Sequence, residues 1–252
     1  MKNEAAALLL AVQFLTRIPI PSRDLYSATR MVASVRYYPL VGLFIGCISA
    51  AAFLVSGLLV PHPIAVLLAI AVGLLVTGGF HEDGLADTFD GIGGGIDRAR
   101  ALEIMKDSRL GTYGTLALIV CIALKASSLI LLPVSIVAAA LIMGHGMSRL
   151  SSLLVIATSR YVRGEGTGKP VAESASALTI ITATVTCAVI VILWCHFLPP
   201  MAMACAIVGL VLGHGFMRLF FEPKLGGYTG DTLGAVQQMS ELGFYLGLLA
   251  WL

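Results

Sequence analysis

About seven apolar stretches of near-spanning length, roughly 20 residues each, follow one another along the chain and leave little freedom in what it can fold into. They run over Tyr37–Val60, Pro63–Phe80, Tyr113–Leu132, Val134–Thr158, Ala177–Leu198, Met201–Phe221 and Thr232–Leu252. Charged residues make up 12% of the chain, against about 25% in an ordinary soluble protein. In hydrocarbon every backbone N–H and C=O must be satisfied inside its own segment, so runs of this length are expected as helices. The fold class expected is all-α: a polytopic integral membrane helical bundle, one domain over residues 1–252, since no polar linker is long enough to divide it. The stretch Glu4–Thr16 is too short to span and is closed by Arg17, Pro19 and Pro21, which points to a short interfacial or partly inserted N-terminal helix. No small-residue cleavage site follows it, which argues against a signal peptide.

Lys and Arg near the ends of spans set orientation. They gather in alternate connections: Arg17, Arg23, Arg30 and Arg36; Arg98, Arg100, Lys106 and Arg109; Arg160, Arg163 and Lys169; and Lys224. The opposite connections, around Pro61-His62-Pro63, Pro133 and Pro199-Pro200, have none. The basic loops are therefore expected on the cytoplasmic side of a cytoplasmic membrane, and most acidic residues share those loops. A net charge of +2, with no basic patch interleaved with aromatics, gives no case for nucleic-acid binding. The cysteines Cys47, Cys121, Cys187, Cys195 and Cys205 fall within the apolar stretches without metal-ligand spacing and are expected to pack as small apolar groups.

The densest polar stretch is His81 to Gly91, which places Glu82, Asp83, Asp87 and Asp90, four carboxylates, within nine positions. On a helix Asp83, Asp87 and Asp90 share one face, with Glu82 about a quarter-turn away. Unpaired carboxylates this close raise one another's pKa unless a cation neutralises them. Oxygen-only ligands suit a hard ion such as Mg2+, which takes one or two carboxylates together with substrate phosphates. Gly91-Ile92-Gly93-Gly94-Gly95 follows, then a basic stretch with Arg98, Arg100, Lys106, Asp107 and Arg109, then Gly111-Thr112-Tyr113-Gly114; such turns bring backbone N–H groups close to an anion. A second Gly/Thr/Asp loop, Leu225 to Gly234, opens the last apolar run; its Asp231 either caps that helix or completes a metal site from the other side.

Within the apolar runs lie Lys125, His145, Arg149, His214, Arg218 and Glu241, residues that in a bilayer face a cavity or a partner. Gly144-His145-Gly146-Met147-Ser148-Arg149 and Gly213-His214-Gly215-Phe216-Met217-Arg218 share the pattern G-H-G-x-x-R. Either Arg149 and Arg218 form cationic walls below an anionic substrate, or they snorkel at the cytoplasmic ends of their helices. The histidines are read as structural.

The runs H-x-D-G-L-A-D-x-x-D-G at His81–Gly91, A-L-E-I-M-K-D-S-R-L-G-T-Y-G at Ala101–Gly114 and G-G-Y-T-G-D-T-L-G-A at Gly226–Ala235, with F-L-T-R-I-P-I-P at Phe14–Pro21, resemble the cobalamin synthase (adenosylcobinamide-GDP ribazoletransferase) family over nearly the whole chain. The resemblance implies a Mg2+-dependent membrane transferase of late cobalamin assembly, acting on adenosylcobinamide-GDP and alpha-ribazole or its 5′-phosphate and releasing GMP, in the bacterial or archaeal cytoplasmic (inner) membrane. It leaves open a homo-oligomer or a complex with other cobalamin-assembly enzymes. Position by position it implies Asp83, Asp87 and Asp90 as metal and catalytic residues, with Glu82 a further metal candidate and Asp231 joining both roles. Asp107 is implied as a ligand or base, and Lys106 and Arg109 as phosphate contacts. Gly227, Thr229 and Gly230 are implied in the substrate loop. Tyr161, Arg163 and Lys169 match a P-Y-A-R and G-x-G-K element, although Arg160 and Val162 stand where that element has Pro and Ala.

The family is also similar to the CDP-alcohol phosphotransferases, whose full D-G-x-x-A-R signature is not met by Asp83-Gly84-Leu85-Ala86-Asp87. Another membrane nucleotide-alcohol phosphotransferase is therefore the alternative. A transporter, with polar groups spread through the bilayer, fits a chain with one-sided charge less well.

Overall fold

The computed structural model describes residues 2–21, 25–163, 176–194 and 199–252. Among them the chain is helical, without strands apart from one isolated bridge between Tyr161 and Tyr228. The helices are α1 (Lys2–Leu15), α2 (Ala28–Ser34), α3 (Tyr38–Ser56), α4 (His62–Thr77), α5 (Phe80–Gly94), α6 (Arg98–Ile104), α7 (Thr112–Leu131), α8 (Val134–Thr158), α9 (Ala177–Trp194), α10 (Pro200–Leu225) and α11 (Gly230–Trp251). A single 3-10 turn, Val35–Tyr37, joins α2 to α3.

The count of seven crossings is not confirmed. Four described segments are long and apolar enough to cross a bilayer, Ala28–Ser56, α7, α8 and α10, or five if α4 and α5 are taken as one bent span. The expected span Pro63–Phe80 stops at Thr77, and α5 leaves it at 87°. Gly78 and Gly79, both at φ +68°, make the corner, a left-handed conformation that glycine adopts without strain. The last expected span is a full helix, α11, but it carries Gln237, Gln238 and Glu241 buried among its neighbours, so it is a core element more than a lipid-facing one. The short N-terminal helix forms as expected.

α11 runs through the middle of the bundle against α5, α7, α8 and α10. Its contact with α10 is backbone to backbone: a Cβ on Gly209 would lie 2.1 Å from the Gly243 carbonyl oxygen, and one on Gly243 equally close to Gly209's. One apolar cluster fills the end near α5, with Leu15, Tyr38, Leu85, Phe221 and Tyr228; another fills the far end, with Phe53, Leu129, Met143, Phe244 and Leu248. The outer faces keep large apolar side chains exposed, among them Leu54, Leu75, Ile119, Ile181, Leu212 and Leu219, as a lipid-facing surface requires. Cys47, Cys121, Cys187 and Cys205 are all free thiols; Cys195 lies outside the described residues.

Candidate active site

The acidic stretch forms one helix, α5, lying across the ends of its neighbours. Asp83 is exposed, Asp87 half-buried and Asp90 buried. What brings a further carboxylate to this helix is a glycine contact. A Cβ on Gly84 would stand 2.6 Å from the Asp231 carbonyl oxygen, and one on Gly234 would stand 3.0 Å from the His81 carbonyl oxygen. The start of α11 therefore rests directly on α5, with Asp231 beside Asp83 and Asp87.

Thr229, not Asp231, caps α11. Thr229 Oγ1 accepts from the Thr232 N–H at 3.3 Å, and Thr232 Oγ1 accepts from the Thr229 N–H at 2.9 Å, a reciprocal capping box. Asp231 is left to receive Arg163, whose Nη2 donates to its Oδ2 at 2.6 Å and to the Met105 carbonyl at 3.0 Å. The loop around it is pinned by the Tyr161–Tyr228 bridge, in which the Val162 N–H donates to the Tyr228 carbonyl at 3.0 Å and the Tyr228 N–H to the Arg160 carbonyl at 2.9 Å. Gly227, at φ +157°, has no room for a side chain, since a Cβ would meet the Arg160 carbonyl at 2.2 Å. Tyr161, Gly227 and Thr229 thus shape the loop that presents Arg163 and Asp231, and Gly230 begins the helix behind them.

Among the described residues this cluster is short of positive charge. Asp87 is pushed up to about 7, first by burial and then by the neighbouring Asp231 and Asp83 carboxylates, with Arg163 opposing. Asp231 is raised by burial and by Asp83, again against Arg163. Hard oxygen donors held so that each raises the next are chemically suited to a divalent cation. Among the described residues no three His, Cys, Asp or Glu side chains converge on one point closely enough to hold an ion by themselves. The residues present fit an ion held by one or two carboxylates, with phosphate oxygens from a substrate completing its shell.

Other expected site residues have different partners. Both oxygens of Asp90 accept backbone N–H groups from the start of α7, Gly111 to Oδ2 and Gly114 to Oδ1, each at 2.8 Å. Asp90 thus caps α7 from a neighbouring helix and opposes its positive dipole end; the Gly-Thr-Tyr-Gly turn serves this carboxylate. Glu82 points into the bundle, where its Oε1 accepts from Gln238 Nε2 at 2.7 Å. Asp107 and Arg109 pair with each other on the surface through paired contacts, the guanidinium holding Asp107 down at about 2. Lys106 is exposed, on the turn after α6, which ends at Ile104. Lys169 lies outside the described residues.

The two G-H-G-x-x-R copies are not equivalent. Arg149 is 2% exposed and donates to the His145 carbonyl at 2.5 Å, inside a small cavity of about 30 Å³ that Glu82, Lys125 and Glu241 also line. Arg218 sits on the rim of the bundle, bonded to Glu222 at 3.0 Å and Thr158 at 2.8 Å. They do not form two walls of one site. Lys224, which reads from sequence as an idle loop charge, donates to the Ile92 carbonyl at 2.7 Å and the Gly95 carbonyl at 2.5 Å, closing the C-terminus of α5. Sequence reasoning missed it because its acceptors are backbone atoms far along the chain.

The chain matches the family described as cobalamin-5-phosphate synthase over residues 7–249. It is 42% identical to the adenosylcobinamide-GDP ribazoletransferase of Shewanella amazonensis, over 98% of this chain and 96% of that protein. The enzymes of the same name from Leptothrix cholodnii and Shewanella woodyi are 41% and 40% identical, covering 98% and 100% of this chain and 96% and 98% of their own. No solved structure matches. Carboxylates gathered at one end of an apolar bundle, and a likeness that runs the length of the chain, agree: this chain belongs to the cobalamin-5-phosphate synthase family.

Proposed function

We propose that the protein transfers the adenosylcobinamide-phosphate group of adenosylcobinamide-GDP to alpha-ribazole or its 5′-phosphate, releasing GMP, at the cytoplasmic face of the bacterial or archaeal inner membrane. The single observation that carries this reading is the seat of Asp231 on Gly84, which converges Asp83, Asp87 and Asp231 into a half-buried acidic cluster opposed by Arg163. The family relationship supplies the substrates.

In the reaction the ribazole 3′-hydroxyl oxygen bonds to the cobinamide-side phosphorus, and the bond from that phosphorus to the bridging oxygen breaks. GMP leaves with the electron pair, and the hydroxyl proton passes to a carboxylate of the cluster. The chain's part is positioning and charge. Arg163, fixed by Asp231 and the Met105 carbonyl, is placed to meet phosphate oxygens. Asp90, Lys224 and Glu82 hold α5 so that Asp83 and Asp87 keep their places. Mg2+ held by one or two of Asp83, Asp87 and Asp231, with substrate phosphate oxygens completing its shell, would lower the cost of negative charge on the leaving phosphate.

The experiment is GMP release by the purified protein in detergent with adenosylcobinamide-GDP, alpha-ribazole and Mg2+, beside an identical reaction with EDTA. Metal-dependent GMP with a cobalamin product is the expected outcome. CMP released from a CDP-alcohol in its place would move the protein to the alternative phosphotransferase class, and no nucleotide from a folded sample would sink both.

A further inference from the structure

A second cavity lies on the other side of the acidic helix, between residues that no single stretch of the sequence brings together. It is an open trough of about 680 Å³ between the end of α1, the α4–α5 corner and α7. Asp83 forms part of its wall and Asp231 does not, because α11 packs on the Gly84 face of α5. The carboxylates therefore stand as a ridge, with the Arg163–Asp231 loop on one flank and this trough on the other.

The lining is mixed in a particular way. Phe14 and Phe80 meet edge to face, ring centroids 5.4 Å apart, and Leu110 and Leu118 face them across the opening, giving flat apolar surface. Beside these, and with Glu82 and Asp83 also on the wall, stands the one cation that lines the trough among the described residues, Arg17. Its backbone is fixed, the N–H donating to the Val76 carbonyl at 2.7 Å. Its side chain lies over Gly78, where a Cβ would be 2.2 Å from the Arg17 Nε, so the corner glycine serves as its seat as well as making the turn. Among the described residues its guanidinium nevertheless has no hydrogen-bond or ion-pair partner. A held, unpartnered guanidinium next to an aromatic wall matches a flat, weakly polar ring that carries a phosphate some distance away.

An in-line displacement needs attacking and leaving oxygens on opposite sides of the phosphorus. With the donor's pyrophosphate on the Arg163 flank, the acceptor enters from the trough. We propose that this trough is the acceptor subsite and that Arg17 binds the acceptor's 5′-phosphate, so that Arg17 sets the preference for alpha-ribazole 5′-phosphate over alpha-ribazole. The inference rests on the function proposed above and adds to it where the acceptor binds and which side chain reads its phosphate.

The test compares the two acceptors in the full-length protein in detergent with adenosylcobinamide-GDP. Arg17→Ala and Arg17→Gln lower kcat/KM for alpha-ribazole 5′-phosphate by roughly 10- to 100-fold, the worth of one charged hydrogen-bonding contact, and leave alpha-ribazole within about 2-fold. Arg17→Lys recovers part of the loss. Calorimetric binding to the wild-type protein, which depends on no variant folding, gives tighter binding of the phosphorylated acceptor. Equal loss for both acceptors would place Arg17 on the donor's pyrophosphate and overturn the assignment, as would no loss for either or equal wild-type affinities. Absence of product from the wild-type protein with both acceptors would instead sink the transferase reading beneath it.

Discussion

Two groups of charge meet at α5, and they are built in opposite ways. Inside the bundle, Lys125 Nζ donates to Glu241 Oε1 at 3.0 Å and to Gln238 Oε1 at 2.7 Å; Gln237 reaches the other Glu241 oxygen at 2.7 Å, and Gln238 passes the chain on to Glu82. Two cations, Lys125 and Arg149, stand among two carboxylates, Glu82 and Glu241, all lining one cavity. At the water-facing edge, Asp83, Asp87 and Asp231 have, among the described residues, only Arg163 between them. Charge surrounded by apolar helices must be matched within the protein, because nothing else is present to match it. Charge at the edge can be left in surplus and matched by what binds. The position of Glu82, one residue from Asp83 in sequence yet facing the interior network, marks the boundary between the two.

The comparison can be broken most directly at the edge. Asp87→Asn is expected to lower GMP release by about 10³-fold, roughly 4 kcal/mol of barrier, while thermal unfolding in detergent stays within about 1 kcal/mol of wild type. Intact activity with lost stability would make the surplus cluster a structural one. The converse test is Lys125→Met, which leaves the Glu241 carboxylate buried without its cation and should cost roughly 3 kcal/mol or more of stability. Pairing it with Glu241→Gln should return much of that loss, and failure to do so would mean that the interior charges are not acting as a matched set. A smaller effect is expected for Asp90→Ala. Losing the cap of α7 should cost about 1–2 kcal/mol in unfolding, and activity should fall only as the folded fraction does. If that variant instead stays folded and loses turnover as completely as Asp87→Asn, Asp90 belongs with the reacting carboxylates. Smallest of all, Lys224→Ala removes a cation from the last carbonyls of α5 and should cost about 0.5–1 kcal/mol, seen as a modest fall in melting temperature.

How much of this was legible in the chain depended on the distance over which each feature acts. Apolar runs and the acidic helix are local patterns, and both can be read without knowing what packs on what. The corner at Gly78-Gly79 was also written locally, but the apolar run continues through Phe80 and hides it, so one expected span is really a helix and a turn. Thr229 and Thr232 carry a capping pattern in plain view, but Asp231, two residues on and itself a good capping residue, competes for the same role when only the sequence is read. By contrast, Asp90 capping a helix that begins at Thr112, Gln238 answering Glu82, and Lys224 closing α5 join residues far apart in sequence. No periodicity announces such pairs. Arg17 stands in a motif that the resemblance did mark, but its seat over Gly78 and its trough exist only once the stretch of chain after α1 is bonded to the end of α4.

The seat of Asp231 on Gly84 also governs when the protein becomes competent. A ribosome delivers the N-terminal helices first, so Asp83 and Asp87 emerge long before α11 is made. Until that helix slides in beside α5, the nascent bundle has two of the three carboxylates of its acidic cluster and no finished wall behind them. A chain stalled or cleaved before α11 would hold its earlier helices in the membrane yet be chemically silent, so that activity itself reports completed synthesis.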